Sequence, residues 1–314
     1  ISEHKAVVWL LEKGYEVCGI LKRNSVAENQ TARIPDHIFK QINLEYADML
    51  DMSSLIRVLQ MCQPDEVYNL AAQSHVRISF DMPIYTTHSI ATGTLNLLEA
   101  IRLTCPLTKT YQASSSEMFG NNIDDDGYQR ETTAMNPVSP YGCAKVYGYN
   151  ICRNYRNAHN MFISNGILFN HESPRRGTNF VTNKVVKEAV KIKYGLSTKL
   201  TLGNLDASRD WGHAKDYVYA MWLMLQQDNS DDYVCSTGVS HTVRDLVEYV
   251  FTSLGLDAEK YIEFDEKFLR KEELKFLKGD CSKAQRELGW KHKYSFESML
   301  DEMIKHWIKY YEKK

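Results

Sequence analysis

Glu66-Val67-Tyr68-Asn69-Leu70-Ala71, a helical pattern from Ile90 to Leu103, then Lys109-Thr110-Tyr111-Gln112-Ala113-Ser114: this stretch decides the fold. Two short apolar runs rich in β-formers flank one helix-length segment. Parallel strands need a crossover of about a dozen residues or more, usually a helix. The rhythm extends in both directions. Strands are predicted at Glu16–Leu21, Ile42–Ala47, Met161–Leu168 and Tyr233–Thr237, and helices at Lys5–Lys13, Ser54–Met61 and Tyr141–Asn157. Such alternation predicts an α/β fold, a doubly wound parallel sheet of Rossmann type with helices on both faces.

Beyond residue 170 the rhythm changes. Asn170–Asn179, rich in Pro, Gly and Arg, reads as loop. Helices are predicted at Val181–Tyr194, Lys215–Gln226 and Val243–Leu254, then a charged stretch at Phe264–Lys278 and a last helix at Ser295–Tyr311. We divide the chain into residues 1–169, a dinucleotide-binding domain, and 170–314, a smaller α/β substrate-binding domain with some chain returning to the first. The opening Ile1-Ser2-Glu3-His4 runs straight into a helix. A dinucleotide fold normally begins with a strand and a Gly-rich turn that brings the pyrophosphate to the helix N-terminus. Both are absent from this chain. The expectation is a truncated start, because that strand sits at the centre of the sheet.

Composition bounds the function. With 314 residues, 43% hydrophobic and 25% charged, the chain can bury a sizeable core. A net charge of −2 with no block of like charge leaves no nucleic-acid footprint. No apolar run approaches the ~20 residues of a membrane helix. The seven cysteines are scattered, odd in number and form no C-x-x-C pair. That reads as a reduced, cytoplasmic compartment with no zinc site and no disulfide framework.

Ser139-Pro140 is a helix start, with an N-cap serine and proline at the first position. Tyr141 then falls in the first turn, and Lys145, four residues on, shares its face. A free phenol has a pKa of about 10. A nearby ammonium favours the phenolate, so the tyrosine can take and return a proton. A lone Tyr-x-x-x-Lys pair is common on helix surfaces. Here it stands with Ser114-Ser115-Ser116-Glu117 at a strand's end, and Ser115, Glu117, Tyr141 and Lys145 become the candidate catalytic set.

Three further segments face the same space, because ligands of open α/β sheets bind outside the strand carboxyl ends. Leu70, Ala71, Ala72, Gln73 and Ser74 give small residues for close cofactor approach, while His75 reads as a structural hydrogen-bonder. After the second strand, Lys22, Arg23 and Ser25 stand where an acidic residue would bind a ribose 2′-hydroxyl, and they suit a 2′-phosphate, hence NADP. Arg175 and Arg176 beside proline and glycine form a cationic corner, to which Arg209, Lys215 and Arg270 add charge for a diphosphate ligand.

On these residues the chain resembles the GDP-mannose 4,6-dehydratases of the extended short-chain dehydrogenase/reductase family. The likeness runs from Leu10–Val17 to Leu288-Gly289-Trp290. Its most specific stretches are Asn69–His75, Asn170–Gly177, Leu202–Ala207, Arg209–Tyr217 and Gly279–Ala284. The resemblance places the family's active-site hydroxyl on Ser115 (threonine in the family), its glutamate on Glu117, its tyrosine on Tyr141 and its lysine on Lys145. It implies cofactor contacts at Lys22, Arg23, Asn24, Ser25, Asp48, Met49, Leu70–Ser74, Tyr85, Lys145, His171 and Arg176. Nucleotide-sugar contacts are implied at Ser74, Asn170, Asn179, Lys184, Arg209, Arg270 and Glu273. Departures from the family pattern are Lys22 for arginine, Asn24 for serine, Lys271 for proline, and the missing Gly-rich turn.

The implied reaction uses NADP to oxidise C4 of GDP-mannose, eliminates water across C5 and C6, and returns hydride to C6. The family is built as homodimers or homotetramers in which the Lys22–Arg33 loop reaches a neighbour's cofactor. Two rival readings stand beside this one: a related nucleotide-sugar epimerase or reductase, and a non-catalytic NADP-binding regulator.

Overall fold

A computed structural model describes residues 2–22, 36–269 and 272–313. Ser2–Glu12 (α1) leads into Cys18–Leu21 (β1), which pairs in parallel with Asn43–Tyr46 (β2). Met52–Cys62 (α2) follows, started by Asp51, whose carboxylate accepts from Ser53 and Ser54 N–H. The deciding stretch folds as its periodicity predicts. Glu66–Asn69 (β3) and Lys109–Ser115 (β4) lie parallel, Glu66 opposite Lys109, with Gly93–Thr104 (α3) between them in sequence. Pro140–His159 (α4) then crosses to Ile163–Leu168 (β5), parallel to β4.

The second half is threaded through shorter strands. Asn170–Glu172 (β6) pairs in parallel with Trp211–His213 (β9), and Leu200–Leu202 (β7) with Ile262–Phe264 (β12). Ser208–Arg209 (β8) runs antiparallel to His241–Thr242 (β11). Asp232–Cys235 (β10) joins the edge of the main sheet beside β5, giving the order β10–β5–β4–β3. Among the described residues β1 and β2 form a separate two-stranded sheet. The longer helices here are Val181–Lys193 (α5), Ala214–Leu225 (α6), Val243–Ser253 (α7) and Phe296–Tyr311 (α8).

Two main cores follow from this path. One joins the sheet to chain from the second half, with Tyr111 and Ile167 packed with Tyr217, Met221 and Trp290. The other lies among α5, α7 and α8, where Val186 and Val190 meet Leu246, Val250, Leu300 and Met303. A third, smaller cluster packs α2 on α3 through Leu55, Leu59, Leu97 and Ile101.

One sequence expectation is corrected, and two are refined. Asn170–Asn179 is not all loop: its first three residues form β6. Asn, His and Glu have weak strand propensity, so the neighbouring strand decides their conformation. The charged stretch from Phe264 conceals Leu274 and Leu277, both fully buried. The helical pattern from Ile90 is preceded by two short helices, Val76–Asp81 and Pro83–Thr87, and a π-helical turn, His88–Thr92. Segments this short carry no readable period.

The turn after β4 depends on Gly120. Its φ is +58, and a Cβ there would lie 1.8 Å from the backbone oxygen of Asn136. G120A is expected to lower the unfolding free energy by about 2 kcal/mol or more, from left-handed strain plus collision with backbone. An unchanged denaturant midpoint would contradict this account of the turn.

Candidate active site

The first turn of α4 is set by its cap. Ser139 Oγ accepts from Gly142 N–H at 3.0 Å, an interaction worth about 1 kcal/mol to a helix start. Gly142 permits close approach: a Cβ would lie 2.9 Å from the Glu117 carbonyl oxygen and 2.8 Å from Pro137 Cβ. Helix α4 therefore sits directly against the 3₁₀ turn Ser116–Met118 that carries Glu117. Ser115 caps that turn, its Oγ accepting from Glu117 N–H at 3.3 Å. Lys145 Nζ donates to the Ala113 carbonyl at 2.6 Å and lies 5.7 Å from the centroid of the Tyr141 ring. All four candidate catalytic residues are buried, with Lys145 4% exposed and Glu117 7%.

This geometry corrects one expectation. The Tyr141 phenol is pushed up to about 12, above the ordinary tyrosine value, and burial is the main cause. The Ser115 hydroxyl and the Arg176 cation pull it back, while the Glu117 charge adds to the rise. Lys145 was expected to favour the phenolate. In this structure its ammonium donates to the Ala113 carbonyl while lying beside the Tyr141 ring, and desolvation of the phenol outweighs the pull of Arg176.

A cleft of ≈1070 Å³ opens over these groups, and ten further sequence-predicted ligand residues line it: Leu70, Ala72, Ser74, Asn170, His171, Arg176, Asn179, Lys184, Arg209 and Glu273. His171 Nδ1 lies 2.9 Å from the Phe169 carbonyl and its ring stacks on Tyr217 at 4.8 Å. Arg176 Nε is 3.0 Å from Glu172 Oε2, and its guanidinium sits 3.6 Å above the Phe180 ring. The Asn179 carbonyl is 3.5 Å from His75 Nε2. Lys184 Nζ donates to the Thr201 carbonyl at 2.6 Å and lies 3.7 Å over Phe268, and burial lowers its pKa. Arg209 Nη1 donates to the Ser208 carbonyl at 2.8 Å, and Nη2 is 3.7 Å from Glu273.

Other predicted residues stand outside the cleft lining. Lys22 Nζ is 3.0 Å from Asp48 Oδ2 and 5.4 Å from the Tyr85 ring, a separate cluster at the ends of β1 and β2. The Met49 carbonyl accepts from Asn96 Nδ2 at 2.8 Å. Ala71 N–H donates to Asn69 Oδ1, and the Gln73 side chain bridges His75 and Thr86 Oγ1. Arg23, Asn24, Ser25 and Arg270 lie outside the described residues. Glu172, Phe180 and Phe268 were not singled out from sequence, yet they hold Arg176 and Lys184. The spacing of Glu172, Arg176 and Phe180, four residues apart each time, is the one trace of that role.

The donor set fits a nicotinamide riboside. Hydroxyls of Ser115 and Tyr141 and the Lys145 ammonium are hydrogen-bond partners for a ribose and a reacting alcohol. Leu70, Ala72 and Leu168 give the same cleft an apolar wall. Among the described residues no cluster of three or more His, Cys, Asp or Glu could hold a metal ion, and no helix is long and apolar enough to cross a membrane.

By fold the chain is an α/β protein with a parallel, Rossmann-type sheet. It superposes on Thermus thermophilus UDP-glucose 4-epimerase complexed with NAD, with TM-score 0.85, 22% identity, and 98% and 96% of the two chains covered. It also matches RMD from Pseudomonas aeruginosa complexed with NADPH, with TM-score 0.76, 22% identity, and 85% and 90% covered. Within that class the sequence is more specific. The family described as GDP-mannose 4,6 dehydratase matches residues 5–303. GDP-mannose 4,6 dehydratase 1 of Arabidopsis thaliana is 49% identical over 305 residues, covering 94% of this chain and 84% of the relative. The chain belongs to the GDP-mannose 4,6-dehydratase family.

Buried phenols also set the alkaline limit. Burial raises Tyr111 and Tyr217 well above the ordinary tyrosine value, and Tyr141 to about 12. A folded value above the unfolded one of about 10 contributes stability that is complete below pH ~10 and is lost as pH rises through the folded values. Phenolate absorbance is therefore expected to show exposed tyrosines ionising first and the buried ones only with unfolding. If replacing Tyr141 by Phe removes a tyrosine that titrates at or below the ordinary value, its burial is misread.

Proposed function

We propose that this chain dehydrates GDP-mannose to GDP-4-keto-6-deoxymannose with NADP as cofactor. The observation that carries the reading is Glu117, buried two residues past Ser115 and held against the Tyr141–Lys145 helix. A plain epimerase or reductase has no use for a carboxylate there. The name of the Arabidopsis relative supports the same substrate.

The chain's own groups divide the work. Tyr141 Oη takes the proton of the sugar 4-hydroxyl, with Ser115 Oγ in hydrogen-bond reach of the phenol. Lys145 holds the ribose and supplies positive charge beside the phenol. A nicotinamide held by Lys145 and the Leu70–Ser74 strand end would supply reversible hydride chemistry at the sugar. A C4 ketone acidifies the C5 proton, and Glu117 takes that proton and delivers one to the departing 6-hydroxyl. Burial of the four residues excludes bulk water from these transfers. Further along the cleft Asn179, Lys184, Arg209 and Glu273 hold the nucleotide.

NADP over NAD rests on Lys22. Its ion pair with Asp48 has side chains 56% and 34% exposed, and such a pair is worth no more than about 1 kcal/mol. A 2′-phosphate displaces it readily. The subunits associate as homodimers or homotetramers, as the family resemblance implies, which gel filtration tests directly.

Incubation with GDP-mannose and NADP⁺ is expected to yield a 4-keto-6-deoxy product. An epimerised sugar, or no reaction with the cofactor bound, selects one of the rivals. E117Q should abolish release of the 6-deoxy product while some NADP⁺ reduction persists; full turnover by this variant would falsify the assigned role. Y141F should lose C4 oxidation by about 10²-fold or more. K22A is expected to raise KM for NADP while leaving KM for NAD unchanged; equal effects on both would remove Lys22 from selectivity.

A further inference from the structure

We propose that Cys18 and Cys62 form a redox modification site, a dithiol that closes to a disulfide when the protein meets a peroxide. Cys18 opens β1 and Cys62 ends α2, 44 positions apart in sequence. Their Sγ atoms stand 2.7 Å apart as free thiols. A disulfide needs about 2.05 Å, so the bond forms with a sub-ångström approach of two side chains. Both residues are only partly buried, which leaves the pair accessible to a small oxidant. Nothing in the dehydration uses them.

Burial, then the Cys62 thiol, then Glu45 and Glu16 push Cys18 up to about 12. One thiolate of the pair attacks one oxygen of hydrogen peroxide; the O–O bond breaks and leaves a sulfenic acid and hydroxide, which is protonated to water. The partner sulfur then attacks the sulfenic sulfur; the S–O bond breaks, and the partner's thiol proton leaves with the departing oxygen as a second water. Two electrons pass from the sulfurs to the peroxide.

Helix α2 is anchored to α3 through Leu55, Leu59, Leu97 and Ile101, and both cysteines border that cluster. A Cys18–Cys62 bond ties β1 covalently to α2. The Lys22–Asp48 pair stands at the opposite end of β1, so the staple stiffens the strand without entering the cleft.

The full chain is treated with hydrogen peroxide, remaining thiols are alkylated, and peptides are mapped by mass. The expected result is one cross-linked peptide pair joining Cys18 to Cys62, lighter by two hydrogens and restored by dithiothreitol. The thermal midpoint should rise by several degrees in the oxidised protein, because a loop of this length is closed in the unfolded chain. C62S should show neither change while alkylation of exposed Cys143 proceeds as before. Alkylation of both Cys18 and Cys62 after oxidation, or their oxidation to separate sulfinic acids, would overturn the proposal. The mass readout on the unsubstituted protein decides the matter even if C62S folds poorly, and it is independent of the dehydratase assignment.

Discussion

Gly142 lacks a side chain, and the closeness this allows sets the rest of the site. With hydrogen at that position, α4 can lie against the Glu117 carbonyl. Ser139 can then cap the helix in the same turn, and Tyr141 is delivered beside Ser115. Any Cβ would have to push against backbone on one side and Pro137 on the other. A carboxylate, a phenol and an ammonium are thus brought together by backbone packing. The strand that carries Ser115 is central in its sheet, so the reacting groups rest on rigid elements. Rigid support matters because positioning errors of even 1 Å cost much of an orientation advantage.

Burial makes this arrangement electrostatically costly and chemically useful. Desolvation raises the Tyr141 phenol, against the pull of Arg176 and Ser115. Arg176 is itself fixed, between the Glu172 carboxylate and the face of Phe180. Glu172 is raised by burial first, with Arg176 drawing it down. The cation near the phenol is therefore part of a buried pair, and breaking such a pair from one side leaves an uncompensated charge. The ribose and sugar hydroxyls of bound ligands enter a pocket whose charges already oppose one another at fixed distances.

The fold was legible because it obeys short-range rules. Strand–helix alternation follows periodicity, and Ser139-Pro140 announces a helix start whatever lies around it. The electrostatic direction at Tyr141 was not legible. It depends on how deeply the phenol is buried and on which carbonyl the Lys145 ammonium finds, and neither follows from a four-residue spacing. The same limit hid β6, whose strand conformation is dictated by Trp211–His213 some forty residues on. Phe268 was hidden for a related reason: its partner Lys184 comes from another element. Sequence reveals what is local, and the ligand-binding half of this cleft is almost wholly non-local.

That asymmetry carries a functional consequence. The groups that handle protons sit at strand ends and a helix start within the sheet half. The groups placed to hold a nucleotide come from α5, β7, β8 and the turn before Leu269, where each side chain is fixed by a different neighbour. Lys184 is held by Thr201 and Phe268, and Arg209 by Ser208 and Glu273. None of those neighbours belongs to the packing of α4 on the Glu117 turn that Gly142 allows. Related sugar-nucleotide enzymes can share one fold at about a fifth identity while their ligand-binding ends diverge.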